Sequence, residues 1–180
     1  MRGDGTSLVD AGLVDDYLAP LYRFAFRLAG SREDAEDLVQ ETFLMAHQKF
    51  HQLRDERTAF AWLLKILRSC RSRQLERKPP VVAIPMEDWI EDPRGTVELD
   101  EVDPERLAAV LAALPEEFRE PLLLYYFEDF SYKEIADLMN CPIGTVMSRL
   151  SRAKACLRNE LIPEHCAKDD FHTPRESKPI

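Results

Sequence analysis

The chain has 180 residues, 45% of them hydrophobic, and its 24 basic against 33 acidic side chains leave a formal charge of −9. That length allows one large domain or two small ones, and the acidic balance argues against a protein that coats nucleic acid unaided, since such binding rests on neutralising phosphates with Lys and Arg. No run of about 18 apolar residues is available to cross a membrane, and the N-terminus MRGDGTSLVDAGL lacks the apolar centre of a signal peptide, so a cytoplasmic location is expected.

After a short N-terminal extension (residues 1–14), Val14, Leu18, Leu21, Ala25 and Leu28 recur at helical spacing, and Gly30 stands where a helix ends on a left-handed residue. Ser31 opens a second helix, with Asp34 three residues on as a weak variant of the capping box. Its apolar face is Ala35, Leu38, Val39, Thr42, Phe43 and Ala46; Glu33, Asp37, Gln40 and Glu41 lie mostly off that face. A third helix from about Thr58 turns Phe60, Leu63, Leu64, Leu67 and Cys70 inward, leaving Lys65, Arg68, Arg71 and Arg73 outward, and gives way at Pro79-Pro80.

Residues 79–103 are proline-bearing and almost without periodicity, and they read as a linker in which Ile84, Met86, Trp89 and Ile90 offer local docking points. Asp103-Pro104 is an N-cap with a first-turn proline ahead of Leu107, Val110, Leu111 and Leu114. Pro115 starts the next helix, PEEFREPLLLYYFED, in which Pro121 is expected to kink the helix or move its start. Ser131 and Glu134 make a full capping box before IADLM. Asn140-Cys141 then breaks the chain before Pro142 and a final helix to about Glu160. No segment alternates with period two, so the expected fold class is all-α, with small helical modules at 15–78 and 104–162 and a tail at 163–180.

Charge is segregated along this plan. Residues 54–78 carry eight basic and three acidic groups, 79–103 one and eight, 104–129 two and six, and 130–162 five and three. Two basic patches separated by an acidic stretch point to two contacts with a polyanion.

The segment FSYKEIADLMNCPIGTVMSRLSRAKACLRNEL has the plan of a helix-turn-helix, in which Ile135, Ala136 and Met139 pack against Val146 and Leu150. Arg149, Arg152 and Lys154 then face away, with Thr145 and Ser148 near the helix start, an arrangement suited to base edges in the major groove. A solvated basic helix face is the plain alternative. For the cysteines, scattered as Cys70, Cys141, Cys156 and Cys166, reduced thiols are expected rather than a metal site; His165, Cys166 and His172 form the one local cluster.

LPEEFREPLLLYYFEDFSYKEIADLMNCPIGTVMSRLSRAKACLR closely resembles the fourth conserved region of extracytoplasmic-function sigma factors of the sigma-70 family. SREDAEDLVQETFLMAHQKF resembles their second region, and AFAWLLKILRSCRSRQLERK the adjoining stretch that opens the promoter. The three matches occur in family order over about 130 residues. The resemblance implies a promoter-specificity subunit of RNA polymerase. By position, Asp34, Asp37, Leu38, Gln40, Glu41 and Phe43 fall on the motif that docks on the clamp helices of the largest polymerase subunit. Trp62, Lys65, Arg68, Arg71 and Arg73 fall on the minus-ten element reader, and Lys133, Thr145, Ser148, Arg149, Arg152 and Lys154 on the minus-thirty-five reader. Trp62 has the core as an equal alternative. His47, His51, Arg54 and Arg57 occupy the place of a base-capturing loop, and no role is assigned to them.

The sequence departs from its relatives where Met147 replaces a frequent lysine and where Leu67-Arg68-Ser69 replaces Ala-Arg-Asn. The implied partners are core RNA polymerase (clamp helices and flap region), promoter DNA and an anti-sigma factor, often membrane-anchored. The implied setting is an envelope or other stress response, with no cofactor, no metal and no small-molecule substrate. No phosphate loop, nucleophile elbow or H-E-x-x-H occurs, so no enzyme is expected. The competing readings are a conventional helix-turn-helix regulator and a sigma-like interaction protein that binds no DNA.

Overall fold

A computed structural model describes residues 4–77 and 103–161; the linker with its apolar docking points, the Pro79-Pro80 break and the tail with His165, Cys166 and His172 lie outside them. The described residues form α-helices and two short 3₁₀ turns, in keeping with the all-α expectation.

The first module holds α1 (Asp4–Ala29), α2 (Arg32–Lys49) and α3 (Ala59–Arg77), with 3₁₀ turns at Phe50–Gln52 and Glu56–Thr58 between the last two. Helix α1 takes in residues 4–14 as well. It ends at Gly30, whose φ of +80° is the left-handed conformation that glycine adopts at little cost, and whose amide closes on the Phe26 carbonyl at 2.9 Å. Ser31 then caps α2, accepting from the Asp34 amide at 3.2 Å. The apolar face of α2 is buried at Ala35, Leu38, Val39, Thr42 and Ala46, while Phe43 is half-buried. Thr42 is satisfied there by donating its hydroxyl to the Leu38 carbonyl at 2.7 Å.

The stripe on α1 differs from expectation at two positions, Val14, which is half-buried while its neighbour Leu13 is buried, and Leu18. Leu21, Phe24, Ala25 and Leu28 are buried, but Leu18 is 46% exposed. One position earlier, Tyr17 makes the inward contact, stacking on Phe60 with ring centroids 5.9 Å apart, and Leu18 is left on the rim.

The second module holds α4 (Pro104–Ala113), α5 (Glu116–Tyr126), α6 (Tyr132–Met139) and α7 (Ile143–Leu161). Asp103 caps α4 ahead of Pro104, and Pro115 takes the N-cap position of α5. Pro121 neither moves the start nor ends the helix; it is buried within α5, which runs on to Tyr126. Ser131 and Glu134 form the reciprocal capping box: the Ser131 amide donates to the Glu134 carboxylate at 2.9 Å, and its hydroxyl accepts from the Glu134 amide at 3.3 Å. Asn140, at φ 51°, supplies the left-handed residue that turns α6 into α7. Ile135, Ala136, Met139, Val146 and Leu150 are all buried, so the expected seam of the helix-turn-helix is present. Burying a leucine such as Leu150 fully contributes about 2 kcal/mol.

The two modules are packed together. Helix α1 lies against α4 and α5, and α3 against α6. At the centre of the seam sits Arg119, a buried guanidinium from α5. Its Nη1 donates to the Leu28 carbonyl at 2.8 Å, and its Nη2 to Ala112 at 2.9 Å and Leu114 at 2.6 Å. Leu28 and Ala112 belong to the last turns of α1 and α4, whose carbonyls have no intrahelical partner and carry the negative end of the helix dipole. One cation thus satisfies the ends of two helices from different modules. Nearby, the Arg27 guanidinium sits 4.2 Å from the Phe127 ring centroid. The seam is not filled throughout: a cleft of about 440 Å³ lined by residues including Phe26, Leu107 and Phe127 remains between α1 and α4.

Candidate nucleic-acid and polymerase interface

The docking candidates occupy α2, whose acidic first turn and capped start suit the positive end of the helix dipole. Asp37 and Gln40 are exposed, and Asp34, Glu41 and Phe43 half-buried. Leu38 is fully buried and supports the helix from inside, so it offers no outward contact. The apolar group that α2 does present is Leu44, 67% exposed and one turn beyond Gln40. Sequence reading passed it over because it falls outside the apolar stripe, and its being off that stripe is the signal that marks it.

Helix α3 departs more from expectation. Lys65 is exposed and Trp62 is half-buried against the core. Arg73 reaches back to Glu41 of α2 at 3.2 Å. Arg71, expected to face outward, is 7% exposed, and Arg68 is half-buried. Both are turned into the seam by the second module. Arg71 Nε donates to Glu116 at 2.9 Å. Arg68 Nε lies 2.5 Å from the Glu120 carboxylate, an ion pair without hydrogen-bond alignment, while its Nη1 donates to the Leu138 carbonyl at 2.9 Å.

In the helix-turn-helix, Lys133 and Arg152 are exposed, and Thr145, Ser148 and Lys154 half-buried. The Ser148 hydroxyl donates to the Thr145 carbonyl at 3.0 Å. Arg149 is half-buried and lies 3.4 Å from Glu117. Ile143 and Met147, one turn apart at the start of α7, are also prominent there, 49% and 52% exposed; the sequence marked Met147 as the departure from a frequent lysine and gave no sign of Ile143.

Three glutamates at the start of α5 therefore hold arginines from both basic helices: Glu116 and Glu120 those of α3, Glu117 that of α7. Burial pushes the Glu120 carboxyl up to about 7, against the opposing pull of Arg68. Elsewhere, burial keeps the Cys70 thiol above its ordinary range and pushes Cys156 up to about 12. Both are thus poor thiolate ligands or nucleophiles. Among the described residues no group of His, Cys, Asp and Glu side chains is placed to hold a metal ion, and no helix is long and apolar enough to cross a membrane.

Residues 13–78 match the family Sigma-70 region 2, and residues 105–157 match Sigma-70, region 4. These two spans contain α2, the basic third helix and the helix-turn-helix. The chain belongs to the extracytoplasmic-function sigma factors. The sigma-E factor of Haemophilus influenzae is 33% identical over 146 residues, covering 74% of this sigma factor and 77% of the relative. The sigma-H factor of Pseudomonas aeruginosa is 30% identical over 165 residues, covering 84% and 85%. Two solved structures share its fold. The sigma factor RpoE in complex with the anti-sigma factor NepR from Bartonella quintana aligns at TM-score 0.64 and 28% identity, over 82% of this chain and 92% of that one. CnrH in complex with the cytosolic domain of CnrY aligns at 0.59 and 25%, over 85% and 87%. As a member of this family the protein is a promoter-directing subunit of RNA polymerase, acting in transcription initiation.

Proposed function

We propose that the sigma factor divides its task between the two modules. Residues 15–78 dock on the polymerase clamp helices and open the minus-ten element, residues 104–162 bind the minus-thirty-five duplex, and residues 79–103 connect them. Asp37 and Gln40, with Leu44 as apolar neighbour, form the docking face; Asp34, Glu41 and Phe43 flank it. Lys65, Arg68, Arg71 and Arg73, with Trp62 as stacking surface, serve the opened strand, where cations meet the backbone and aromatic faces meet unstacked bases. Lys133, Thr145, Ser148, Arg149, Arg152 and Lys154 form the duplex reader.

The observation that carries this reading is the pairing of an exposed acidic helix, α2, with two basic helices, α3 and α7, in one chain of net charge −9. An acidic face suits a basic-edged protein surface and repels phosphate, so α2 and the basic helices serve different partners. The net charge keeps the isolated chain from binding promoters tightly, and polymerase supplies the missing electrostatics. The chain acts in the cytoplasm, performs no chemistry of its own, needs no cofactor or metal, and serves an envelope or other stress response. An anti-sigma factor restrains it, in keeping with the two anti-sigma complexes whose sigma subunits share its fold. The test is transcription by core polymerase on a promoter library, with and without this chain.

A further inference from the structure

The cleft between α1 and α4 is a surface that the proposed division of tasks leaves unused. Its volume of about 440 Å³ falls within the range of about 300–1,000 Å³ usual for clefts that hold a ligand-sized group. The walls are apolar: Tyr22 and Phe26 from α1, Leu107 and Leu111 from α4, and Phe127 from the end of α5. Along α1, Leu18, Tyr22 and Phe26 recur at every fourth residue and so share one face. Leu18 and Phe26 are left 46% and 45% exposed. An exposed apolar stripe that runs into an open cleft marks a surface that takes a partner. Its charged lining residues are both cations: Arg23 is exposed, and Arg27 is half-buried over the Phe127 ring. Glu128, whose carboxyl feels both, is not part of the lining.

The chain itself carries a segment of matching chemistry. Helix α7 ends at Leu161, which is buried in the core, and Arg106 from the first turn of α4 donates to the Glu160 carbonyl at 2.7 Å. The chain therefore leaves α7 beside the first turn of α4, where Leu107 forms a wall of the cleft. Phe171, ten residues past Leu161, is the one Phe, Tyr or Trp of the 163–180 segment, and Asp169 and Asp170 precede it. Ten residues reach up to about 33 Å, whereas α4 from Leu107 to Ala112 covers only about 7.5 Å.

We propose that the α1–α4 cleft is the docking site of the chain's own C-terminal segment: Phe171 fills the space beside Phe26 and Leu107, and Asp169 and Asp170 face Arg23 and Arg27. Apolar burial supplies the affinity, and carboxylate–guanidinium pairs fix the direction of the segment. A free peptide of this length binds weakly, but the tether gives it a local concentration on the order of 1 mM. A segment with a free dissociation constant of about 0.1 mM is then docked about nine-tenths of the time. Any other acidic, aromatic-bearing segment must displace it to use the cleft.

Two measurements on the full chain test this. In the first, Phe171 is replaced by the photoreactive analogue benzoylphenylalanine, the protein is irradiated at low micromolar concentration, and adducts are mapped by mass spectrometry. Adducts within one chain are expected on the cleft residues of α1 and α4. Arg23→Glu, at an exposed position, should reduce them roughly threefold. Adducts confined to other surfaces or formed only between two chains overturn the proposal, and so does their absence.

In the second, fluorescence anisotropy reads the binding of a labelled peptide of residues 163–177 to wild type and to a full chain carrying Asp169→Asn, Asp170→Asn and Phe171→Ser. Freed of its tethered competitor, the variant should bind the peptide roughly tenfold more tightly than wild type. Adding Ala108→Glu, which sets a carboxylate at an exposed lining position, should undo that gain. Circular dichroism checks that each variant keeps its helices. Equal affinity for wild type and the tail variant overturns the proposal, whether the cleft is then empty or held by residues 79–103.

Discussion

The guanidinium of Arg119 donates to the carbonyl of Leu28 at 2.8 Å, joining a residue of the fourth region to the end of the first helix, 91 positions away in sequence. The same group serves Ala112 and Leu114, so the ends of α1 and α4 share one cation. Burial holds its pKa below the ordinary arginine value, and its carbonyl partners and the nearby Glu116 keep the charge tolerable.

Replacing Arg119 by Ala leaves three carbonyls without their donor, those of Leu28 and Leu114 in buried bonds and that of Ala112 in a part-buried one. The loss is expected to be about 3 kcal/mol or more in urea unfolding of the full chain. Lys should recover only part of it, because a single ammonium cannot span the three acceptors with a fixed fork of donors. A loss within about 0.5 kcal/mol for the alanine variant would mean that the seam is not held by this residue.

Gly30 next to this junction tests backbone rather than contact. An added Cβ there would lie 3.8 Å from Ala112 Cβ, an ordinary contact, but the φ of +80° is strained for any residue with a Cβ. Gly30→Ala should therefore cost about 1 kcal/mol, read as a shift in the urea midpoint with unchanged slope. A neutral result would show that the α1–α2 corner relaxes out of the left-handed conformation.

Stability should also carry a pH signature from Glu120. Its carboxyl is pushed up to about 7 by burial, opposed by Arg68 of α3 and Arg149 of α7 and reinforced by Glu116 of its own helix. A carboxyl raised in the folded state favours folding when protonated. Its contribution is full below the unfolded value near 4.5 and is lost as pH rises through about 7. The thermal midpoint of wild type should rise on lowering the pH from about 8 to about 6, and Glu120→Gln should flatten that rise. Parallel profiles for the two proteins would place the titration elsewhere.

Helix α7, proposed as the reader of the minus-thirty-five duplex, offers a more specific test. Ile143 and Met147 are exposed at its start, beside Thr145, Ser148 and Arg152. The apolar feature of a base edge in the major groove is the thymine methyl group. Replacing thymine by deoxyuridine in the minus-thirty-five element should weaken wild-type holoenzyme binding about fourfold, the effect of about one buried methyl. Met147→Ala should abolish most of that difference. Equal sensitivity in both proteins would exclude Met147 as the reader.

Much of this was legible in the sequence because the decisive signals are local. Ser131 with Glu134, Gly30, Asp103-Pro104 and the spacing of Ile135, Ala136, Met139, Val146 and Leu150 each act within a few residues, and the structure uses them as read. The outward direction of Arg68 and Arg71 was misread because periodicity reports which residues avoid the apolar core, not which second module covers them. The charge pattern held the answer: the basic stretch 54–78 is matched by the acidic stretch 104–129 of the same chain. Leu18 was misplaced for a related reason. Helical spacing marks a stripe, but only packing decides that Tyr17 displaces Leu18 to the rim. Leu38 was rightly placed on the inner face of α2 by spacing, and only the motif carried over from the resemblance counted it among the docking residues.

The most direct measurement is reconstituted transcription: core RNA polymerase with this chain on a pooled promoter library, beside Asp37→Arg and Arg149→Ala. The account predicts defined transcripts that depend on the chain, a loss of at least about tenfold with Asp37→Arg from reversed charge at the docking face, and weaker or altered promoter choice with Arg149→Ala. Transcription that ignores the chain, together with tight binding of a palindromic duplex by the chain alone, would contradict it.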